Sequence, residues 1–592
     1  MKRNKYKDYL WYTALAVFIL CIIEGVMYYH DTENTFLKIS LNIQNAIKAY
    51  KIDPDIKQSE AIRFFNESGG GIIKGIITYL YCASVIVAPF CTIGALTILI
   101  LKPANYIRGL LTKKKVNKIL VLGAGTYQSN FIDSLSGDCN LTVVENNGIS
   151  DEKKSNYLRH GIKFIQKYSD MPMETVLKSL RLLHFEYFLL CDDNVMENIE
   201  NLKLLMELTG KSGQASKSYQ QVYICCDDCS MGELIRQYYD KPENKQLEIN
   251  IVDVNQMAVN KMFLEHPVYL ANDKDHRDVH MGIIGFGDFG QHTLLQALNM
   301  SVLSADSKIC IDVFDKDMPN IIGTFMKHFS VDMLDHLKLV SEDLYLGEQT
   351  KYYELTLSGN ADNRLFGMDG TLTLRFWKAD ARTLRFSKLF RQCHAQMPFT
   401  YLVIAMGDTP SMANTIIELK QLLYKKGADM AEVPIGIRTK DKQNMIDIYR
   451  QNNLFEIARN KDIFSFASLT NRDIVDDAKL FNHRYNMLYD VISEYKQSGK
   501  VLDDKFMLRI EETLTQEQLR IERDRTKLDE TWHSMKMFDR ESSIAQALHQ
   551  NVKKWLVLQQ KAYSLEADKE ELEQIEHRRW TLFMITQGFK YE

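Results

Sequence analysis

The sequence predicts an α/β fold: two doubly wound parallel sheets, preceded by a two-helix transmembrane hairpin and followed by an all-helical region. Three observations carry this expectation. A glycine-rich turn joins a buried strand to a helix at about 280–300. Apolar strands alternate with amphipathic helices from about 116 to 475. Two long apolar runs lie within the first 101 residues. The expected divisions are 1–115 for the hairpin and its loop, 116–275 and 276–475 for the two α/β modules, and 476–592 for the helical end.

The hairpin is read from residues 9–29 and 75–101, each long enough to span a bilayer at about 1.5 Å per residue. Lys2, Arg3, Lys5 and Lys7 precede the first run, and Lys102, Arg108, Lys113, Lys114, Lys115 and Lys118 follow the second. Positive-inside reasoning places both chain ends in the cytoplasm, with the protein in the inner membrane and the lipid bilayer as a partner. Bulky Met27, Tyr28 and Tyr29 follow the first run where a cleaved signal peptide would need small residues. Glu24 fits either an interface-level carboxylate or a pore-lining acid. Gly94 suits helix packing. The loop carries Glu67-Ser-Gly-Gly-Gly71 but no TVGYG-like filter. Two helices cannot enclose a pore alone, so a channel would require a homo-oligomer.

The first module opens on an apolar strand, Ile119–Leu122, followed by Gly123-Ala-Gly125 and a helix. Gln128 stands where the third glycine of a dinucleotide fingerprint belongs. The next strand ends in Glu145, about 20 residues on, where a ribose-binding acid belongs. Further strands are expected at 187–194, 221–228 and 248–254. Asp192, Asp193 and Asn194 end one of them, placed either for ligand contact or for turn and cap chemistry.

The second module opens on Met281-Gly-Ile-Ile284 and Gly285-x-Gly287-x-x-Gly290, with Asp315 closing the next strand. Here the Rossmann pattern is complete. Gly285 makes the sharp turn, Gly287 lets main-chain amides approach a diphosphate, and the helix start offers unpaired N–H groups. Asp315 would accept bonds from ribose hydroxyls, favouring NAD or another adenine nucleotide over NADP. Strands are expected at 308–315, 372–380, 400–408 and 433–439; the stretch 325–370 shows no clear pattern. Asp380, Met406, Gly407, Asp408 and Thr409 lie at strand ends, open to either a nucleotide or helix capping.

The segment GIIGFGDFG with IDVFDKD resembles the nucleotide-binding domains of bacterial potassium-transport regulators and RCK-type (TrkA-N) channel gates. FLLCDDNVMENIENLKLLMEL and VDVNQMAVNKMFLEHPV in the first module are similar to them as well. The resemblance covers about 116–475. It implies a ligand-sensing switch on a membrane protein rather than an enzyme.

Beyond Leu469 only helical patterns remain. Glu576-His-Arg-Arg-Trp580 and Gly588-Phe-Lys-Tyr591, with Arg540-Glu-Ser-Ser543 upstream, resemble the bacterial form of the ryanodine-receptor (RyR) repeat domain. That resemblance implies sensing of nucleotide-type ligands in stress or antiviral defence signalling. Arg578, Arg579 and Lys590 could hold a phosphate, with Trp580, Phe589 or Tyr591 stacking on a base. Alternatively, Trp580 packs between helices and the charges are solvated.

The chain has 592 residues and a formal net charge of −4, which gives no reason to expect a nucleic acid polymer as partner. Its ten cysteines are scattered, and Cys226-x-x-Cys229 has no second pair, so no metal is expected. No nucleophile elbow, Walker A loop or HExxH occurs. His292 is expected on a helix surface, and His394 and His483 lack evident partners. Three functions remain: a membrane effector or channel gated by a cytosolic nucleotide-type ligand, a membrane-tethered NAD-type sensor of a separate potassium transporter, and an NAD-dependent oxidoreductase. The first accounts for the most elements, and it is not an enzyme.

Overall fold

A computed structural model describes residues 117–589 with internal gaps, the longest being 211–219, 359–370, 425–432, 439–452, 563–568 and most of 498–524. Scattered positions among the first 116 residues are also described, chiefly 13–20 and 35–48. The chain forms two compact units, residues 1–115 and 116–592.

In the first unit the expected transmembrane hairpin is not upheld. Among the described residues no helix is long and apolar enough to cross a membrane. Helix α1, Thr35–Lys48, lies in the expected loop and has 14 residues. It rises about 21 Å, short of the ~30 Å hydrocarbon core. Its sequence also includes Asn42, Gln44, Asn45 and two lysines. Residues 13–20 are helical, whereas nearly all of 75–101, with Glu24, Gly94 and 67–71, lies outside the described residues. The bilayer as partner, and the inner-membrane placement, rested on this hairpin.

In the second unit the alternation of strand and helix yields two sheets. The first is wholly parallel, in the order β3-β2-β1-β4-β5-β6. Its strands are β1 (Asn117–Leu122), β2 (Cys139–Glu145), β3 (Lys163–Gln166), β4 (Tyr187–Leu190), β5 (Gln221–Cys225) and β6 (Glu248–Val252). The helices between and after them are α2 (Thr126–Asp133), α3 (Asp151–Arg159), α4 (Met173–Lys178), α5 (Val195–Gly210), α6 (Cys229–Tyr239) and α7 (Val254–Glu265).

The second sheet runs β14-β13-β12-β7-β8-β11-β10-β9. Its strands are β7 (Val279–Ile284), β8 (Ile309–Asp315), β9 (Leu337–Leu344), β10 (Glu348–Ser358), β11 (Thr371–Lys378), β12 (Tyr401–Ile404), β13 (Ile435–Arg438) and β14 (Leu454–Ile457). Without β9 and β10 the order repeats that of the first sheet. The pair β9–β10 is an antiparallel hairpin added to the edge beside β11. It fills the stretch that showed no pattern in the sequence. Helices α8 (Asp288–Met300), α9 (Met318–Phe325), α10 (Leu384–Gln396) and α11 (Thr409–Tyr424) flank this sheet, and α12 (Asp473–Gln497), α13 (Thr526–Ser534), α14 (Met537–Ala562) and α15 (Lys569–Thr586) follow.

One apolar core joins the modules. Val254, Ala258, Val259, Met262 and Phe263 of α7 cluster with Phe289, Leu294, Ala297 and Leu298 of α8, and with Leu548, Val552, Leu556, Ile575, Leu582 and Ile585 of the C-terminal helices. The larger of these side chains each contribute about 1.5–3 kcal/mol on burial. Helix α14 is also pinned to the first module. Met537 joins that module's second core, Arg236 pairs with Glu541 at 2.7 Å, and the Met537 N–H donates to Asp240 at 3.0 Å.

Candidate functional site

The two glycine turns occupy equivalent places, yet they are built differently. In the second module β7 runs into Gly285, whose φ of +98° lies in the left-handed region that favours glycine. A side chain there would also meet the carbonyl oxygen of Ala405 at 2.9 Å. At Gly290 an added Cβ would lie 2.2 Å from the Gly285 carbonyl oxygen, so this glycine lets α8 close on the turn. Gly287 differs from both: a Cβ there meets nothing within 4 Å, and the residue is exposed. The protein's own packing does not demand glycine at 287; a side chain there would project into the open space in front of the turn.

Gly287 is the N-cap of α8, and no side chain caps the helix. No side chain accepts from its leading N–H groups, and the positive end of the helix dipole lies behind them. Exposed Asp288, in the first turn, adds one negative charge beside this position. Asp315 ends β8 beside the turn. Its Oδ2 accepts the Phe286 N–H at 2.7 Å, and its Oδ1 accepts the Asp317 N–H at 2.8 Å. Each carboxylate oxygen retains a further lone pair for a hydroxyl donor.

The first turn is occupied by its own side chains. Gly123 has φ +113°, and a Cβ there would strike the Asp192 main chain at 2.4 Å. A Cβ at Gly125 would meet Asp193 Oδ1 at 2.3 Å, so the space that is open at Gly287 holds a carboxylate here. Gln128 is fully buried. Its Nε2 donates to the Gly123 carbonyl at 2.8 Å and to Glu145 Oε1 at 3.0 Å. Lys153 Nζ donates to Gln128 Oε1 at 2.9 Å and pairs with Glu145 at 2.8 Å, and Tyr157 donates its hydroxyl to the same carboxylate. Glu145, 3% exposed, is thus enclosed rather than presented to a ribose. Desolvation and this carboxylate push the Tyr157 pKa well up.

The strand ends of the first module carry turn chemistry. Asp192 Oδ1 accepts the Asn194 N–H, Asn194 Oδ1 accepts the Met196 N–H, and Asn198 clamps the Asp192 main chain. Asp380 similarly holds Arg382, which lowers its pKa to about 2. Gly407 and Asp408 lie outside the described residues.

His292, expected on the surface, is buried between the modules. Its Nδ1 faces the Asp288 carbonyl oxygen at 2.7 Å, and its Nε2 faces Asp253 Oδ2 at 2.7 Å. Asp253, just beyond β6, caps α7 with Oδ1, which accepts from the Asn255 and Gln256 N–H groups. Nearby, Tyr127 of the first turn donates to Asp227 Oδ2 at 2.5 Å. Burial, with the Asp253 charge, raises the Asp227 pKa although the Tyr127 bond opposes the shift. The Arg438 guanidinium lies 4.7 Å from the centre of the Phe289 ring, and burial lowers its pKa to about 10.

A buried trio, His280, Cys310 and Asp312, has metal-like spacing. Its carboxylate is already engaged by neighbouring donors. Asp312 already accepts Arg375 Nε and Nη2 at 2.7 Å, Trp377 Nε1 at 2.8 Å and His280 Nε2 at 2.7 Å. Burial would raise the Asp312 pKa, but the His280 bond and the Arg375 charge outweigh it and hold the carboxyl low. Burial also pushes the Cys310 thiol up to about 12.

Of the C-terminal residues read as ligand-binding, the two arginines are committed to contacts within the protein. Arg578 is 2% exposed and donates to the Ser304 and Ser307 carbonyls at 2.9 and 2.7 Å and to Ser307 Oγ at 3.1 Å. It fastens α15 to the loop after α8. Arg579 pairs with Glu576 at 2.7 Å. Trp580 is 40% exposed rather than packed between helices. Lys590 and Tyr591 lie outside the described residues. His394 is also held, its Nδ1 accepting the Phe399 N–H at 3.1 Å.

Three elements of this arrangement carry no sequence signature. Lys153 and Tyr157 follow Glu145 in helix α3 with no pattern to mark them. The His292–Asp253 contact joins residues that only the packing of α7 on α8 brings together.

No family model matches the sequence, and no curated protein matches it. Solved structures of GsuK are similar at 10–11% identity. A point mutant of GsuK aligns with a TM-score of 0.36, covering 78% of this chain and 97% of that one. The ADP-bound form gives 0.35 over 79% and 98%. The GsuK RCK domain gives 0.33 over 60% and 76%.

Proposed function

We propose that this protein is a nucleotide-responsive regulatory protein, not an enzyme. Its second module binds ADP, NAD or a similar adenine nucleotide at the Gly285–Gly290 turn. The carrying observation is the open space at Gly287 before an uncapped helix start, with Asp315 alongside. A diphosphate would take the leading N–H groups of α8, and a ribose would donate to Asp315. A 2′-phosphate would meet that carboxylate, so NADP is disfavoured. The first module acts as a structural copy, because its turn is filled by Asp193 and its acid is enclosed.

A regulatory role suits the surroundings. Hydride transfer to a substrate needs a proton-transfer group at the cleft. The imidazole of α8, on His292, has both nitrogens engaged. Self-association into a homo-oligomer is part of the proposal, and native mass spectrometry with and without nucleotide tests it.

Calorimetry with ADP, ATP, NAD and NADP tests the site itself. Wild-type protein should bind ADP or NAD. Gly287→Val should weaken binding at least about tenfold, or about 1.4 kcal/mol, with an unchanged melting temperature. Equal affinity in the variant would move the ligand to another site.

A further inference from the structure

We infer that His292 couples nucleotide occupancy of the second module to the seating of the first module on it. The inference rests on the nucleotide site proposed above and names how that site is regulated.

His292 lies one turn into α8, the helix whose start forms the candidate diphosphate site. Its Nδ1 is bonded to the carbonyl oxygen of Asp288, the first residue of that helix, at 2.7 Å. Any shift of the helix start on taking up an anion therefore reaches the imidazole directly. The opposite nitrogen, Nε2, meets Asp253 Oδ2 at 2.7 Å, with the two side chains 8% and 16% exposed. Both nitrogens face acceptor oxygens, and the ring, when protonated, donates to both.

Asp253 belongs to the first module, and its two oxygens have separate tasks. Oδ1 caps α7 by accepting two main-chain N–H groups, and Oδ2 takes His292. One carboxylate therefore fixes the start of α7 and ties it to the nucleotide-binding helix, along which α7 packs through the shared core. The next carboxylate, Asp227, holds Tyr127 of the first glycine turn at 2.5 Å. Tyr127 in turn packs against Phe464, a residue that follows the last strand of the second module, with ring centres 5.1 Å apart. The contact thus sits where both turns, α7 and the return of the chain converge. His328, beyond α9, also faces His292 electrostatically. From α15, Arg578 and Glu576 are engaged elsewhere, with the loop after α8 and with Arg579.

A ligand shifts an equilibrium only by binding one arrangement better than another. Here the arrangement with α8 and α7 joined through His292 is the one the nucleotide would favour.

Hydrogen exchange of the full chain with and without ADP, paired with calorimetry, tests this. The variants are Asp253→Asn, which keeps a good helix cap but removes the charge pair, and His292→Gln. In wild type, saturating ADP should slow exchange across residues 254–265 at least about tenfold, which corresponds to about 1.4 kcal/mol of coupling. In both variants ADP should still bind, and the slowing over 254–265 should vanish while that at 286–292 persists. Undiminished slowing in both variants would overturn the coupling. Binding by wild type without any response in 254–265 would overturn it too and leave the site intact. No binding of ADP, ATP or NAD by wild type would instead remove the site, and the coupling with it.

Discussion

The main-chain N–H of Phe286 donates to Asp315 Oδ2 at 2.7 Å, so the acid that would receive a ribose also braces the glycine turn. Replacing it with Asn keeps an acceptor of similar shape but removes the charge. Asp315→Asn should weaken ADP binding by roughly 1.5–3 kcal/mol, the scale of a hydrogen bond to a charged group. It should also narrow the preference for NAD over NADP. Competition calorimetry with the two dinucleotides reads both effects.

Gln128 should behave as a structural residue. It is the shared partner of Gly123, Glu145 and Lys153 in a buried site. Gln128→Ala should cost about 1–3 kcal/mol, because it leaves buried polar groups unmade. Nucleotide affinity should hold, since the open turn lies in the other module. Urea unfolding measures the first quantity and calorimetry the second.

Arg578 offers the opposite test from the one its motif suggests. Its bonds run to Ser304 and Ser307. Arg578→Ala should lower stability by about 1.5–3 kcal/mol and leave ADP affinity within error. A selective loss of nucleotide binding in a stable variant would restore the phosphate-binding role.

The four-donor arrangement around Asp312 predicts a large effect from a small change. Asp312→Asn leaves the Arg375 charge buried without its partner, a loss of about 3–5 kcal/mol. Added zinc should not stabilise the wild-type protein, since Arg375 fills the position a metal would take. Thermal unfolding with and without zinc checks this.

His549 gives a pH signature. Burial, aided by the Arg579 charge, lowers its pKa to about 3 from an ordinary 6.5. Between those values the unfolded chain holds the extra proton. The contribution is therefore complete above pH 6.5 and is lost as pH falls toward 3. Glu576, lowered to about 2 by Arg579 and Lys553 against its burial, loses its contribution only below about 4.5. The interval from 6.5 to 4.5 thus separates this histidine from Glu576, while His266 and His328, also lowered by burial, add to the slope there. In that interval His549→Gln should flatten the dependence of melting temperature on pH.

Much of this molecule is legible from local patterns, and the exceptions share a cause. The central strands carry near-continuous apolar runs, such as Met281–Ile284 and Ile119–Leu122, because both sheet faces are covered. The glycines at 285 and 290 declare themselves because backbone geometry leaves no other residue. The short strand Lys163–Gln166 and the hairpin β9–β10 are sheet-edge elements of mixed composition, so no strong period marks them. At the site, residue types suggested roles that their partners decide. Glu145 and Asp315 occupy equivalent strand ends, yet one is enclosed by Gln128, Lys153 and Tyr157 while the other braces an open turn. Arg578 reads as an anion-binding charge until its acceptors prove to be main-chain carbonyls of Ser304 and Ser307, far away in the chain. The apolar runs near the amino terminus suggested spans by length and hydropathy alone, and the described helices do not bear that out.

The shared core has a consequence for synthesis. Helix α7 leaves the ribosome before the segment that will cover its apolar side. Phe263 and Met262 must wait for α8, and the pocket is completed only when Leu582 and Ile585 arrive at the far end of the chain. Until then the first sheet carries a sticky flank, the kind of transient surface that chaperones shield.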